Sequence, residues 1–194
     1  MAVIVDIEST CWGERVPYNS EIIEIGAVKD TGEEFQAFIK PIKSKKISEF
    51  CTKLTSIVQK DVDNAESFGE VIKKFMQFVG DDTVYSWGNY DKQMIQRQCL
   101  EMLGLQWDFK HVNLKNVYAK LYKAKECGMA RALEKEQIKL EGTHHRGIDD
   151  ARNIQKIYKK IEAKIPDILR LDVERLAKKL KGFKVEKYEG EKVK

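Results

Sequence analysis

Val3-Ile4-Val5-Asp6-Ile7-Glu8 opens the chain as an apolar run that ends in two acids. Consecutive apolar residues suit a strand covered on both faces, which puts this segment at the centre of a sheet. Asp6 and Glu8 are two residues apart, so on a strand their side chains leave the same face. Two carboxylates so placed make a site for a hard cation. An Asp-x-Glu pair is common by chance; here its weight comes from following a buried strand directly.

Outward from that strand, Glu21 to Val28 and Glu34 to Ile39 read as two more strands, joined by a turn at Asp30-Thr31-Gly32. The period then becomes helical. A short helix is expected over Leu54 to Val58, and a longer amphipathic one carries Phe68, Val71, Ile72, Phe75, Met76 and Val79 before Gly80 stops it. Thr83 to Trp87 is a compact strand, Tyr90 to Leu103 a helix, and His111 to Leu114 a fifth strand, after which helices continue to Ile161. Three opening strands followed by alternating helices and strands predict an α/β domain with a mixed sheet of about five strands flanked by helices.

The chain has 194 residues, 42% hydrophobic and 34% charged, enough for one domain with a small extension and too few for a second large one. No segment has the length of a signal peptide's apolar region or a membrane span. Cys11, Cys51, Cys99 and Cys127 form no Cys-x-x-Cys pair, which argues against a zinc ribbon and for free thiols in a reducing cytoplasm. Residues 164–194 hold ten basic and six acidic residues, leaving 25 of each sign in residues 1–163, so the net charge of +4 belongs to the C-terminal extension. Residues 1–163 are read as the domain and 164–194 as a basic, partly helical extension. Its Leu169, Val173, Leu176 and Leu180 recur at helical spacing and suit either docking onto the domain or a protein partner.

Asp91 shares a helical stripe with Ile95 and Met102, and Asp150 one with Ile154, Ile157 and Ile161. Both acids therefore face a core, where an unpaired carboxylate costs several kcal/mol and calls for a cation or strong hydrogen bonds. A helix cap or an exposed first turn is the plainer alternative for each. Asp149 is an alternative to Asp150. In His144-His145-Arg146-Gly147-Ile148-Asp149-Asp150, residues five apart on a helix would diverge by about 140°. Gly147 is therefore read as the entry from a loop into the helix, with His145 over the site and Asp150 fixed below. The site is expected at a sheet edge between the opening strand and two helices.

Val5-Asp6-Ile7-Glu8-Ser9-Thr10, Trp87-Gly88-Asn89-Tyr90-Asp91 and His145-Arg146-Gly147-Ile148-Asp149-Asp150 resemble the DEDDh exonucleases of the ribonuclease H-like fold. Thr10-Cys11-Trp12, Glu21 to Gly26 and Phe50 to Ile57 carry the likeness to the Eri-type RNA 3′ exonucleases and the bacterial KapD-like group. The resemblance covers residues 1–163, with Gly147 standing where the wider superfamily commonly has alanine. It implies Asp6, Glu8, Asp91 and Asp150 as metal ligands and His145 as general base.

The activity that this resemblance implies is metal-dependent 3′–5′ hydrolysis of single-stranded nucleic acid, RNA above DNA, to nucleoside 5′-monophosphates. Two divalent cations, Mg²⁺ or Mn²⁺, can stabilise the attacking and leaving oxygens of such a displacement, and both prefer carboxylate oxygen. Trp12 could stack on a terminal base or simply pack. Arg146 could meet a phosphate or be exposed. The alternative class is a nucleic-acid-binding or partner-recruiting protein on the same fold that does not turn over. The absence of G-x-x-x-x-G-K-[ST] and G-x-G-x-x-G loops argues against nucleotide-binding folds.

Overall fold

The computed structural model describes residues 1–13 and 20–181, with side chains through residue 178. Strand β1, Ala2–Ser9, alternates its two faces between two separate cores. Val3, Val5 and Ile7 point to one, packed with Val71, Ile72, Phe75, Met94, Ile95 and Cys99. Ala2 and Ile4 point to the other, packed with Leu114, Val117, Tyr118, Ile154, Ile157 and Ile161. Apolar residues on both faces are thus explained by burial on both sides.

The expected five-stranded mixed sheet is present, in the order β3-β2-β1-β4-β5. Strands β2, Ile22–Lys29, and β3, Glu34–Phe38, continue antiparallel from β1, whereas β4, Thr83–Ser86, and β5, His111–Asn113, run parallel to it. Gly32, with φ of +97°, supplies the turn between β2 and β3.

Helices α1, Glu49–Thr55, and α2, Gln59–Asp63, replace the single helix expected over Leu54 to Val58. Ser48 caps α1 by accepting from Cys51 N, and Ser56 at φ +56° ends it in a left-handed turn, so the expected helix straddles a break. Helix α3, Phe68–Val79, begins at a Ser67–Glu70 capping box and ends at Gly80. Helix α4, Tyr90–Leu103, has the expected bounds. Then come α5, Leu114–Leu121, α6, Met129–Lys135, α7, Gly147–Ile161, and α8, Ile165–Lys181, joined to α7 by a short 3-10 turn.

The first turns of α8 dock on the domain. Ile165 is buried in the second core, Ile168 and Leu169 pack against it, and Lys120 pairs with Asp172. Val173 and Leu176 of the expected apolar stripe are exposed. The Leu180 side chain and the rest of the extension lie outside the described residues. Among the described residues, no helix is long and apolar enough to cross a membrane.

Candidate active site

Asp6 and Glu8 continue the face of β1 that Ala2 and Ile4 begin, so the packing that fixes the strand also aims its acids. They stand at the carboxyl end of the central strand rather than at a sheet edge, because β2 and β4 flank β1 on both sides. Pairing of β1 with β4 covers only Ala2 to Ile4. Further along, the backbone N–H of Ile7 donates instead to Asp91 Oδ1 at 3.2 Å, which ties the start of α4 to β1. Tyr90, one residue earlier, meets Ser9 hydroxyl to hydroxyl at 2.9 Å.

Helix α7 reaches the site because β2 has no side chain at Gly26. A Cβ there would lie 2.1 Å from Ile148 N and 2.2 Å from the Gly147 carbonyl carbon, so only glycine lets the first turn of α7 rest on the strand. Gly147 is close-fitting but less constrained, since its own Cβ would be 3.0 Å from Asp6 O, a contact that a shift of a few tenths of an ångström would relieve. This contact delivers Asp150, whose oxygens lie with those of Asp6 and Glu8 in one cluster, all within 4.8 Å. Asp91 flanks the cluster, close enough to repel Asp6 and Glu8. Asp149 points elsewhere, accepting from Thr143 N at 2.9 Å and pairing with Arg152 at 3.0 Å.

A fifth acid was not singled out in the sequence. Glu24 stands on β2 directly opposite Glu8 of β1 and is fully buried, an arrangement in which like charges oppose each other. It is satisfied by Gln36 Nε2 at 2.7 Å, Gly147 N at 3.0 Å and Arg146 Nε at 3.3 Å. Arg146 pairs with Glu24 and covers the Phe38 ring at 5.2 Å, with 23% of its side chain exposed. Glu24 interrupts the apolar run Ile22-Ile23-Glu24-Ile25, a signal of an acid inside a buried strand, but only the cross-strand register shows what it faces.

Charge accumulates accordingly. Burial first, then repulsion from Asp91, Glu8, Asp150 and Glu24, pushes the Asp6 carboxyl well above the usual carboxylate range. Burial, Asp150, Glu24 and Asp91 push Glu8 up to about 9 against the pull of Arg146. Burial raises Asp91 to about 6, restrained by hydrogen bonds from backbone and from Ser86. A compact, mostly buried set of carboxylates that resist ionising beside one another fits a hard divalent cation, whose charge offsets both the repulsion and the cost of burial.

His145 precedes α7 in a left-handed conformation, φ +66°, with its N–H donating to Asp150 Oδ2 at 2.9 Å. Burial and the neighbouring His144 hold its imidazole below the usual histidine value, with Asp150 pulling the other way. His145, Asp150 and His144 also converge within 4.8 Å. Trp12 is half-buried where the chain leaves β1, immediately before the undescribed residues 14–19.

The sequence pattern of the RNase_T family, described as exonuclease, matches residues 3–158. The chain is 29% identical over 184 residues to the 3′-5′ exonuclease Snipper of Drosophila melanogaster, covering 78% of this chain and 66% of that protein. It is 30% identical over 174 residues to 3′-5′ exoribonuclease 1 of Rattus norvegicus, covering 79% and 50%. The chain therefore spans between half and two thirds of the length of these relatives. The crystal structure of the nuclease domain of 3′hExo, a DEDDh family member bound to rAMP, superposes with a TM-score of 0.77 at 28% identity, over 84% of this chain and 92% of that one.

Proposed function

Because the chain belongs to the RNase_T exonuclease family and carries its ribonuclease H-like fold, we propose that it is a metal-dependent 3′–5′ exonuclease that removes nucleoside 5′-monophosphates from single-stranded RNA. The observation that carries the reading is the convergence of Asp6, Glu8 and Asp150 within 4.8 Å at the end of β1. RNA is preferred over DNA because of the likeness to an exoribonuclease and to a nuclease domain bound to rAMP. Four free cysteines suit a reducing compartment such as the cytoplasm.

Asp6, Glu8 and Asp150, with Asp91 at their flank, would hold two divalent cations, Mg²⁺ or Mn²⁺. When bound, these cations supply positive charge to the phosphodiester as negative charge builds on it. His145 is the group in this chain suited to take the proton from the attacking water. Its lowered basicity keeps the ring neutral near pH 7, the state a base must start from. Its backbone, fastened to Asp150, sets the ring beside the acids. The Glu24–Arg146 pair takes no part in proton transfer, and holds the loop end of α7 against β2.

Purified chain incubated with labelled RNA and DNA oligomers of matched sequence, with Mg²⁺, with Mn²⁺ and with EDTA, tests the reading. Metal-dependent shortening of RNA faster than DNA is expected. Equal rates on both would remove the substrate preference, and no shortening of either would remove the enzyme.

A further inference from the structure

His144 takes no part in the reaction proposed above, yet its ring is tied to two groups that do. Its side chain is 40% exposed, and its Nδ1 lies 3.0 and 3.1 Å from the two oxygens of Asp150. Its ring stacks on His145, with centroids 4.0 Å apart and 20° between the planes. Neighbouring side chains on an extended backbone diverge. These two converge where His145 is left-handed, a conformation that costs a non-glycine residue roughly 1–2 kcal/mol and is held here by the hydrogen bond from its N–H to Asp150. One ring nitrogen from each histidine and one Asp150 oxygen thereby lie within 4.8 Å of one another.

We propose that His144, His145 and Asp150 form a second cation site, selective for a borderline transition metal such as Zn²⁺, which excludes the hard-cation site because both require Asp150. Zn²⁺ binds imidazole nitrogen and carboxylate oxygen at about 2.0–2.2 Å, which sets its ligands about 3.3 Å apart in a tetrahedron. The donors are already within 4.8 Å, but the lone pairs of the stacked rings lie in nearly parallel planes, so closing on the ion requires the exposed His144 ring to leave the stack and turn until both ring planes meet at the metal. The exposed side leaves room for water as a fourth ligand.

The two clusters differ in chemistry. Asp6, Glu8 and Asp150 offer only oxygen and suit Mg²⁺ or Mn²⁺, whereas two imidazoles with one carboxylate suit Zn²⁺. A Zn²⁺ ion held by the histidines would take a carboxylate from the first cluster and the ring nitrogen lone pair of His145. Hydrolysis would then stop. The binding part of this inference stands without the proposed nuclease activity; the inhibition rests on it.

The test uses the whole chain stripped with EDTA and titrated with ZnCl₂ by calorimetry, and separately with CoCl₂ by visible absorption. The unaltered protein should bind Zn²⁺ and give the strong absorption of a four- or five-coordinate cobalt site with nitrogen ligands. His144→Ala should weaken Zn²⁺ binding by roughly tenfold or more, with Mn²⁺ binding unchanged. His144→Phe keeps a ring on His145 without a ligand nitrogen and should behave like His144→Ala. Zn²⁺ affinity equal in all three proteins, or a weak octahedral cobalt spectrum from the unaltered one, would overturn the site. Zn²⁺ binding that depends on His144 without inhibiting nucleolysis would overturn the exclusion alone.

Discussion

Asp6, Glu8 and Asp91 are held protonated to pH values at which an exposed carboxyl has long ionised, and this links stability to pH. The fold takes up more protons than the unfolded chain, so the stabilisation is complete below the ordinary carboxylate pKa and is lost as pH rises through the folded values, about 6 for Asp91 and about 9 for Glu8. In EDTA the melting temperature should therefore fall between pH 5 and pH 9, and added Mg²⁺ should restore it most at the alkaline end. Asp6→Asn removes one of the crowded charges at nearly constant volume. It should abolish hydrolysis while raising the EDTA melting temperature at pH 8, as read by thermal unfolding; an active variant, or one that melts lower, would contradict the assignment. Arg146→Ala removes the positive charge paired with buried Glu24, leaving it to Gln36 and the Gly147 N–H opposite Glu8, and should cost about 3 kcal/mol in denaturant unfolding, near the lower end for breaking a buried pair. The acids of the site were legible because spacing and stripe expose them. Glu24 and its pairing with Arg146 were not, because the first depends on the register of β2 against β1 and the second joins residues 122 apart in sequence, and neither leaves a local pattern.

Helix α7 is the element on which the site depends, and its seat on β2 has no slack. Gly26→Ala would force backbone apart at a contact of 2.1 Å, so a loss of about 3 kcal/mol or more is expected together with loss of activity. Ser67→Ala provides the contrast. It removes the cap of α3, far from the acids, and should cost about 1 kcal/mol with activity unchanged. If Gly26→Ala proved no more harmful to activity than Ser67→Ala, the docking of α7 would not be what positions Asp150. Most elements could be read from period alone, since β1, α3 and α4 each bury a continuous face. The region of α1 and α2 could not, because Ser56 breaks the helix by a backbone angle that serine rarely adopts, and apolar spacing runs across the break without registering it. The wide angle between residues 145 and 150 is enough to place the entry into α7 at Gly147, with His145 on the loop before it, but the stacking of His144 on His145 comes from a left-handed residue that spacing does not reveal.

Over the whole molecule, the order β3-β2-β1-β4-β5 puts the acid-bearing strand in the middle, with α3 and α4 beneath it and α5 to α8 above. The acids therefore sit at the end of the sheet's central strand, between α4 and the loop that carries His145. Removal of single nucleotides from a 3′ end by these acids is best followed on a single-stranded RNA labelled at its 5′ end, with the unaltered chain and Asp6→Asn run side by side in Mg²⁺. The unaltered chain should give a ladder that shortens one nucleotide at a time, Asp6→Asn should give none, and a phosphorylated 3′ end should resist. Release of the 5′ label as a mononucleotide at the earliest times, or cutting of a circular RNA, would contradict it.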